Sequence, residues 1–199
     1  MASQTPDLTT IFEACIFAAN KHQGHIRKDQ KGSPYITHPL LVAQAIWKIG
    51  GVTDTNILVA AILHDTIEDT KTTLMEIQDT FGKSILDIVL EVTDDKSLPR
   101  QERKWLQVVH APGLSHPARI IKLGDKLVNC RDILNSPPKE WTLERRQQYI
   151  QWAVDVLYRI RGTNIALEAA FDDTLTRAET QLDFSIQPFE TIHLRPWAP

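Results

Sequence analysis

A histidine and three carboxylates stand close together in residues 64–69, His-Asp-Thr-Ile-Glu-Asp. The apolar run over residues 57–62 leads into them without glycine or proline, which predicts the polar end of a buried helix. If the helix continues through residue 69, a rotation of about 100° per residue brings four polar side chains to one side. These are His64, Asp65, Glu68 and Asp69.

Such a concentration of negative charge requires compensation. Carboxylates that repel one another are costly to bury unless a cation or a hydrogen-bond network offsets their charge. A divalent metal ion is the simplest compensation. The alternative is a solvated acidic helix end on which His64 is an ordinary polar residue, since short motifs often arise by chance.

Two residues elsewhere in the chain favour the metal ion. His38 directly precedes one predicted helix, and Asp125 lies within the apolar spacing of another, where a buried carboxylate needs a partner. With His64 and Asp65 they form a set of nitrogen and oxygen ligands without thiolate. This set suits six-coordinate Mn²⁺ better than structural Zn²⁺, while Fe²⁺ stays open as an alternative.

A metal ion bound in this way supports hydrolysis of phosphate esters and anhydrides. It lowers the pKa of bound water toward neutrality and neutralises charge on a phosphoryl oxygen. Glu68 and Asp69 lie one turn beyond the ligand pair, near enough to orient the attacking water or to protonate the leaving group. Their proximity is expected to separate their pKa values, which lets acid and base roles coexist.

Helices must position these residues, and helix signals cover nearly the whole chain. Caps, apolar spacing and glycine or proline stops predict helices over about residues 8–22, 39–48, 54–69, 73–82, 84–92, 99–109, 116–133, 142–160 and 163–182. Four threonines are expected at their N-termini, namely Thr10, Thr73, Thr142 and Thr163. The sequence thus predicts an all-α fold, a bundle of about eight to ten helices.

Length, charge and cysteine content set further limits. The 199 residues fit one domain over residues 1–184 and a tail over 185–199, expected to be extended on the surface or disordered. Cys15 and Cys130 fall in predicted helices, which indicates core residues of a reducing compartment. We expect a cytoplasmic protein, because the sequence shows no leader pattern and no run of about 18 apolar residues. The net charge of −3 argues against general nucleic-acid binding.

The motifs resemble those of known phosphohydrolases. His38, the pair His64-Asp65 and Asp125 resemble the H…HD…D signature of the HD-domain metal-dependent phosphohydrolases. Over about residues 8–182 the chain is similar to the hydrolase domain of the RelA/SpoT homologue family, and in length to the stand-alone small alarmone hydrolases. Four ordered motifs carry this similarity: RKxxxGxPYxxHP from Arg27, HDxxEDT from His64, VTDDK from Val92 and KLxDKxxNxRD from Lys122.

The resemblance implies an HD-domain fold and removal of the 3′-pyrophosphate from ppGpp and pppGpp, which gives GDP or GTP and pyrophosphate. It implies one Mn²⁺ bound by His38, His64, Asp65 and Asp125, with Glu68 and Asp69 as the catalytic pair. Inactive members of the family lack that pair, so its presence favours an enzyme. The implied substrate contacts are Arg27, Lys28, Lys126 and Asn129, with Lys96, Arg131 and Tyr149 as further candidates.

Other functions stay open at this point. Relatives of this size also act as NADPH 2′-phosphatases, and other HD proteins hydrolyse nucleoside phosphates. A protein of another class would keep the metal site as a catalytically silent nucleotide sensor, which the intact Glu68 and Asp69 disfavour. The oligomeric state is also open, with a homodimer as one option.

The aromatic residues are expected to serve the fold. Tyr35 is expected to order its loop beside Pro34, and four tryptophans at apolar helical positions are expected in the core: Trp47, Trp105, Trp141 and Trp152. The remaining histidines lack carboxylates at recognisable spacing and are excluded from the site.

Overall fold

The computed structural model describes residues 5–198. Residues 1–4, which belong to the N-terminus where no leader is expected, and Pro199 of the predicted tail lie outside the described residues. The described α-helices are α1 Leu8–Lys21, α2 Thr37–Lys48, α3 Thr55–Leu63, α4 Thr66–Asp69, α5 Leu74–Phe81, α6 Lys83–Val92, α7 Arg100–His110, α8 His116–Asn135, α9 Leu143–Tyr158 and α10 Ile165–Leu182. Two 3₁₀ helices, Ala111–Gly113 and Phe189–Leu194, accompany them. The predicted all-α bundle is confirmed. None of the helices between residues 5 and 198 has the length and apolarity to cross a membrane.

Helix α3 lies at the centre of the bundle because its sequence is apolar on every side. All residues from 57 to 63 are buried, and the helix packs against α1, α2, α6 and α8. Asp54 caps its N-terminus by accepting hydrogen bonds from two first-turn amides. The buried helix therefore carries the residues that follow it, His64 and Asp65, into the interior.

The prediction that this helix continues through Asp69 is wrong. Helix α3 ends at Leu63, and Asp65 has φ −97° and ψ −3° before α4 begins at Thr66. The Thr66 hydroxyl donates a 2.6 Å hydrogen bond to the Leu63 carbonyl, which the break leaves without a helical partner. Because of this bend, His64 and Asp65 can face the same point in space instead of diverging around a helix.

Helices α2 and α8 cross closely, and Gly124 permits the approach. A Cβ atom at Gly124 would lie 2.7 Å from Cγ1 of Ile46 and 3.3 Å from Cγ1 of Val42, closer than packed carbon atoms come. This contact brings the first turn of α2, with His38, against the middle of α8, with Asp125.

The helix boundaries agree with the sequence predictions to within about two residues outside the α3–α4 bend, but two caps are wrong. Asp7 caps α1, and Thr10 donates its hydroxyl proton to Asp7 rather than capping the helix itself. Asn164, not Thr163, caps α10. In both cases the capping residue is Asp or Asn, and both residue types are preferred over Thr at the N-cap of a helix. The predicted capping box at Thr73 is confirmed.

The C-terminal tail packs on the bundle, so the expectation of an extended or disordered tail is wrong for its described residues. A 3₁₀ helix over residues 189–194 leads into Arg195 and Trp197, which are 8% and 4% exposed. The prediction of a tryptophan core is partly wrong as well. Trp152 is buried, but Trp47 is 50% exposed because it follows the buried Ile46 around the face of α2.

Candidate metal centre and adjoining cleft

Side chains from three segments meet at a cavity of about 200 Å³. His38 comes from the first turn of α2, His64 and Asp65 from the bend before α4, and Asp125 from the middle of α8. His64 Nε2 lies 3.1 Å from Asp65 Oδ2, and His38 Nε2 lies 3.2 Å from Asp125 Oδ1. The corresponding cross distances are 3.8 Å from His38 to Asp65 and 3.9 Å from His64 to Asp125. The four ligands that the sequence predicts therefore face one space.

Hydrogen bonding orients the His64 ring. Its Nδ1 atom lies 2.8 Å from the Ala61 carbonyl oxygen, which can only accept, so Nδ1 carries a proton and donates it. Its Nε2 atom is buried and, although Asp65 Oδ2 lies 3.1 Å away, the geometry gives it no hydrogen bond to any described residue. A metal-bound imidazole has this arrangement, with one nitrogen on a backbone carbonyl and the other on the ion. A divalent cation fits the unpartnered Nε2 atom.

The charges of the cavity also favour a cation. Burial opposes a charge on His64, but the neighbouring carboxylates of Asp65 and Asp125 outweigh burial and raise the pKa of His64 to about 9. Burial likewise opposes ionisation of the two aspartates, but His64 beside Asp65 and Lys126 beside Asp125 hold the pKa of each carboxyl well below its usual value. The carboxylates are therefore ionised at neutral pH, and a metal ion competes with a proton for His64.

Three neighbouring side chains fix the positions of the carboxylates. Tyr35 donates its phenol proton to Asp65 Oδ2 over 2.5 Å. Lys126 Nζ lies 2.9 Å from Asp125 Oδ2, and the side-chain amide of Asn129 donates to Asp125 Oδ1. Such contacts orient metal ligands and sustain their affinity. Tyr35 therefore does more than order its loop, and Lys126 and Asn129 contact a predicted ligand as well as the cavity.

Glu68 and Asp69 line the same cavity from α4. Glu68 accepts a 3.1 Å hydrogen bond from the Asp94 amide and lies 3.5 Å from Arg103 Nη1. Burial raises the pKa of Glu68, although the Asp94 amide opposes this effect. Asp69 instead pairs with the exposed Lys96. The two carboxyl groups thus have different surroundings, as neighbouring groups with acid and base roles require.

A larger cleft of about 590 Å³ adjoins this metal cavity, and Tyr35, Asp69 and Asn129 belong to the walls of both. Its wall includes two cationic and two large aromatic side chains, Arg27, Lys28, Trp141 and Tyr149, together with three aspartates, Asp29, Asp69 and Asp132. The cations suit phosphate groups, and the aromatic rings suit the faces of a base or sugar. The size and chemistry of the cleft fit a nucleotide.

The predicted substrate residues are distributed unevenly between the two spaces. Arg27, Lys28, Asn129 and Tyr149 line the cleft, and Lys126 lines the metal cavity with Asn129. Arg27 Nη2 lies 2.6 Å from Asp132 Oδ2, which holds the guanidinium at the wall. Arg131 lines neither space, because it lies about 120° around α8 from Asp125.

Comparisons with known proteins bear on this geometry. A family model described as an HD domain matches residues 14–153. The relatives include a guanosine-3′,5′-bis(diphosphate) 3′-pyrophosphohydrolase, MESH1 of Xenopus tropicalis, which is 51% identical over 166 residues, 83% of this chain and 93% of the relative. The chain belongs to the MESH1 family of HD-domain proteins. Human MESH1 is 49% identical over 160 residues to this family member, covering 80% of it and 89% of the human protein.

A solved structure has the same fold as this MESH1-family chain. It is described as a metazoan ortholog of SpoT that hydrolyzes ppGpp and plays a role in starvation responses. The TM-score is 0.84 at 40% sequence identity, and the match covers 88% of this chain and 98% of the other. The predicted HD-domain fold and family are confirmed. Membership of the HD family implies a divalent metal ion, for which His38, His64 and Asp65 place ligand atoms within 4.8 Å of one another.

Several residues of this MESH1-family site escaped the sequence analysis. The ring of Tyr35 lies between those of His22 and His38, with centroid distances of 4.8 and 6.0 Å, and His22 is buried. Trp141, which the sequence places in the core, lines the cleft, and Asp132 holds Arg27. The motif RKxxxGxPYxxHP contains Tyr35, but its spacing does not reveal which residue the phenol contacts.

Proposed function

We propose that this protein hydrolyses ppGpp and pppGpp with a divalent metal ion, releasing pyrophosphate together with GDP or GTP. The observation that carries the proposal is the continuity between the cavity of imidazoles and carboxylates and the cleft of cations and aromatic rings. A 3′-pyrophosphate fits the first and a guanosine the second. Relatives about half identical to this chain are named for this activity.

For the metal ion we propose Mn²⁺, held by His38, His64, Asp65 and Asp125. Two imidazole nitrogens and two carboxylate oxygens suit a six-coordinate ion that retains positions for water and phosphate. When bound, the ion lowers the pKa of a water ligand and neutralises charge on the phosphoryl group. Elemental analysis of the purified protein and activity at equal occupancy with Mn²⁺, Zn²⁺ and Fe²⁺ test the choice of metal.

Glu68 and Asp69 are the residues that we assign to proton transfer. In the reaction a bond forms between the water oxygen and the phosphorus next to the 3′-oxygen, and the bond from that phosphorus to the 3′-oxygen breaks. The water must lose a proton, and the 3′-oxygen must gain one. Glu68, whose pKa is raised by burial, supplies the proton to the 3′-oxygen, and Asp69 orients the water and accepts its proton.

The cleft residues bind the rest of the nucleotide in this proposal. Arg27 presents its guanidinium face to the guanine base while Asp132 holds it, and Lys28 supplies a positive charge at the cleft wall. Asn129 lies between Asp125 and the cleft, where its amide can meet the ribose or a phosphate oxygen. Lys126 lies in the metal cavity, Tyr149 in the cleft and Lys96 beside Asp69, whereas Arg131 lines neither space and would reach only a part of the substrate that extends beyond them.

Product identification tests the proposal. Purified protein with Mn²⁺ is incubated with ppGpp, pppGpp or NADPH at equal concentration, and the products are separated by anion exchange. We expect one pyrophosphate for each GDP or GTP. Negligible turnover of ppGpp with release of phosphate from NADPH would establish the phosphatase instead, and binding of ppGpp without turnover in any divalent metal would establish a sensor.

Glu68→Gln tests the catalytic assignment separately from the metal. We expect kcat to fall by about 10²–10⁴-fold, the usual contribution of a positioned acid or base. Metal content and helical circular dichroism should be unchanged, because Glu68 is not assigned as a ligand. Asp79→Asn, which neutralises an exposed carboxylate on α5, is the control and should keep full activity. Retention of wild-type kcat in Glu68→Gln would contradict the assignment.

We further propose that the domain spans residues 1–184 and that the tail which follows it packs on its surface. For the cellular location we propose the cytoplasm, and for the oligomeric state a homodimer. Cys15 and Cys130 are both free thiols, which suits a reducing compartment. Light scattering coupled to size-exclusion chromatography measures the oligomeric state, and imaging of a tagged full-length chain measures the location.

A further inference from the structure

A third space, of about 360 Å³, adjoins the cleft on the side of α7 and α9. Trp141 and Tyr149 belong to the walls of both the cleft and this space. Its wall contains three cationic side chains, two from α7 and one from α9, and we call it the basic cavity: Arg100, Lys104 and Arg145.

The cations of the basic cavity have no carboxylate partner in the described part of the chain. No salt bridge joins Arg100, Lys104 or Arg145 to an aspartate or glutamate there. The acidic residue in the wall, Glu144, accepts a hydrogen bond from Gln148 instead. Positive charge is therefore left over at this place in a protein whose overall charge is −3.

These charges also repel one another. Burial and the neighbouring Arg100, Lys126 and Arg145 lower the pKa of Lys104 to about 8, which still leaves it mostly charged at neutral pH. Burial, Arg145 and Arg103 lower the pKa of Arg100. A group of like charges opposes folding unless anions offset it, and the described wall sets one carboxylate, Glu144, against three cations.

Aromatic rings hold Lys104 in the cavity wall. Its Nζ atom lies 5.0 Å from the centre of the Trp152 ring and 4.9 Å from that of Trp197, which belongs to the tail. Lys126 Nζ lies 4.3 Å from the same Trp152 ring and contacts Asp125. The cleft shares Asn129 with the metal cavity and Tyr149 with the basic cavity, so one nucleotide in the cleft can reach both.

We propose that Arg100, Lys104 and Arg145 bind the 5′-phosphates of the nucleotide whose 3′-pyrophosphate lies in the metal cavity. The inference rests on the proposed function and adds a second anchoring point to it. Guanidinium forks and an ammonium group both bind phosphate oxygens strongly. Because each added 5′-phosphate brings more negative charge to the cavity, binding strengthens from pGpp to ppGpp to pppGpp.

The test uses these three substrates, which share the 3′-pyrophosphate and differ only in the number of 5′-phosphates. In Lys104→Met and Arg100→Gln we expect KM for pppGpp to rise about ten-fold, KM for pGpp to change less than two-fold, and kcat to stay nearly constant. Lys83→Met removes an exposed lysine that pairs with Asp87 on α6, and it should match the wild type. Unchanged ratios of kcat/KM among the three substrates in both variants would overturn the proposal.

A binding measurement separates this inference from the proposed function. Calorimetry with GTP and GMP measures binding to the basic cavity without turnover. We expect the ratio of GTP affinity to GMP affinity to be at least five-fold lower in Lys104→Met than in the wild type. If the wild type hydrolyses none of the three substrates, the proposed function fails while this ratio still tests the cavity. An equal ratio of GTP to GMP affinity in wild type and variant would refute the phosphate-binding role of the basic cavity and leave the proposed function untouched. Arg100 is exposed, so Arg100→Gln keeps the test valid if Lys104→Met does not fold.

Discussion

The molecule contains two clusters of buried charge that are built in opposite ways. Between α9 and the tail, Asp155 is 0% exposed and its Oδ2 lies 3.0 Å from Nε of Arg195. Gln151 donates to Asp155, and Arg195 also donates to the Gln187 and Pro188 carbonyls at 3.1 Å each. Every side-chain polar atom of this pair therefore has a partner within the chain.

In the metal cavity, by contrast, not every buried polar atom has a hydrogen-bond partner among the described residues. The Nε2 atom of His64 is buried without a hydrogen bond to the described residues, although it faces the carboxylates of Asp65 and Asp125. Native proteins rarely leave buried polar atoms unpaired without a reason. The comparison teaches that the members of a charged cluster which stabilises the fold find all their hydrogen-bond and ion-pair partners within the chain. A cluster suited to chemistry instead leaves ligand atoms open.

Replacing one aspartate from each cluster gives the largest expected contrast. Asp125→Asn should remove a metal ligand and reduce activity by more than the roughly 100-fold that loss of a supporting contact costs. It should also lower stability, because Asp125 is the counter-charge of the buried Lys126, so loss of the metal is the readout that separates this cluster from the other. Metal analysis, kcat/KM and chemical unfolding measure these effects. Full metal occupancy in Asp125→Asn would contradict the ligand assignment.

The matching change, Asp155→Asn, should act on stability instead. It leaves the buried Arg195 without its counter-charge, which typically costs about 3–5 kcal/mol in free energy of unfolding. Metal content and kcat of the folded fraction should stay close to wild type. Urea unfolding followed by circular dichroism gives the free energy. A stability equal to wild type, or loss of the metal, would erase the distinction between the two clusters.

Tyr35→Phe sharpens the comparison within the metal cavity. The ring beside His22 and His38 is kept, while the hydrogen bond from the phenol to Asp65 is lost. We expect metal affinity to fall about 10–100-fold, the usual effect of removing a contact that orients a ligand. Competition with a chelating dye measures it. Tyr158→Phe, which alters an exposed tyrosine on α9, serves as control and should bind metal normally.

The last expected effect is on the pH dependence of stability and concerns Lys104, which lies against Trp197 of the tail. Its pKa is about 8 in the fold, below its ordinary value of 10.5, chiefly because of burial. Between these values the unfolded chain binds more protons, so the contribution of Lys104 to stability rises as pH increases from about 8 to 10.5. The unfolding free energy of wild type relative to Lys104→Met should therefore increase over this range. A flat difference would show that Lys104 keeps an ordinary pKa.

The sequence predicted most helices because their causes are local. The capping box at Thr73, the stop at Gly82 and the apolar spacing of α8 act over a few residues and need no distant partner. Local patterns failed where a distant or competing contact decided the outcome. The break after Leu63 and the packing of Trp197 are two such places, since both depend on the surrounding bundle.

The candidate site divides in the same way. Residue types and their order identified His38, the pair His64-Asp65 and Asp125 as potential ligands. The residue type fixes which ligand atoms a side chain offers, and the order of the motifs can be read directly from the sequence. The hydrogen bond from Tyr35, the position of Trp141 in the cleft and the position of Arg131 outside it were not accessible in this way. Each depends on which helix face meets another element.

The sequence by itself determined the helical class, the set of candidate metal ligands and the presence of an acidic pair next to them. Only the tertiary structure decided that a bend turns His64 and Asp65 toward one point, that α2 approaches α8 at Gly124, and that three cationic side chains gather beside the cleft. The reason is physical. Helix propensity and ligand chemistry are properties of nearby residues, whereas distances between side chains from separate segments are fixed by packing and bends.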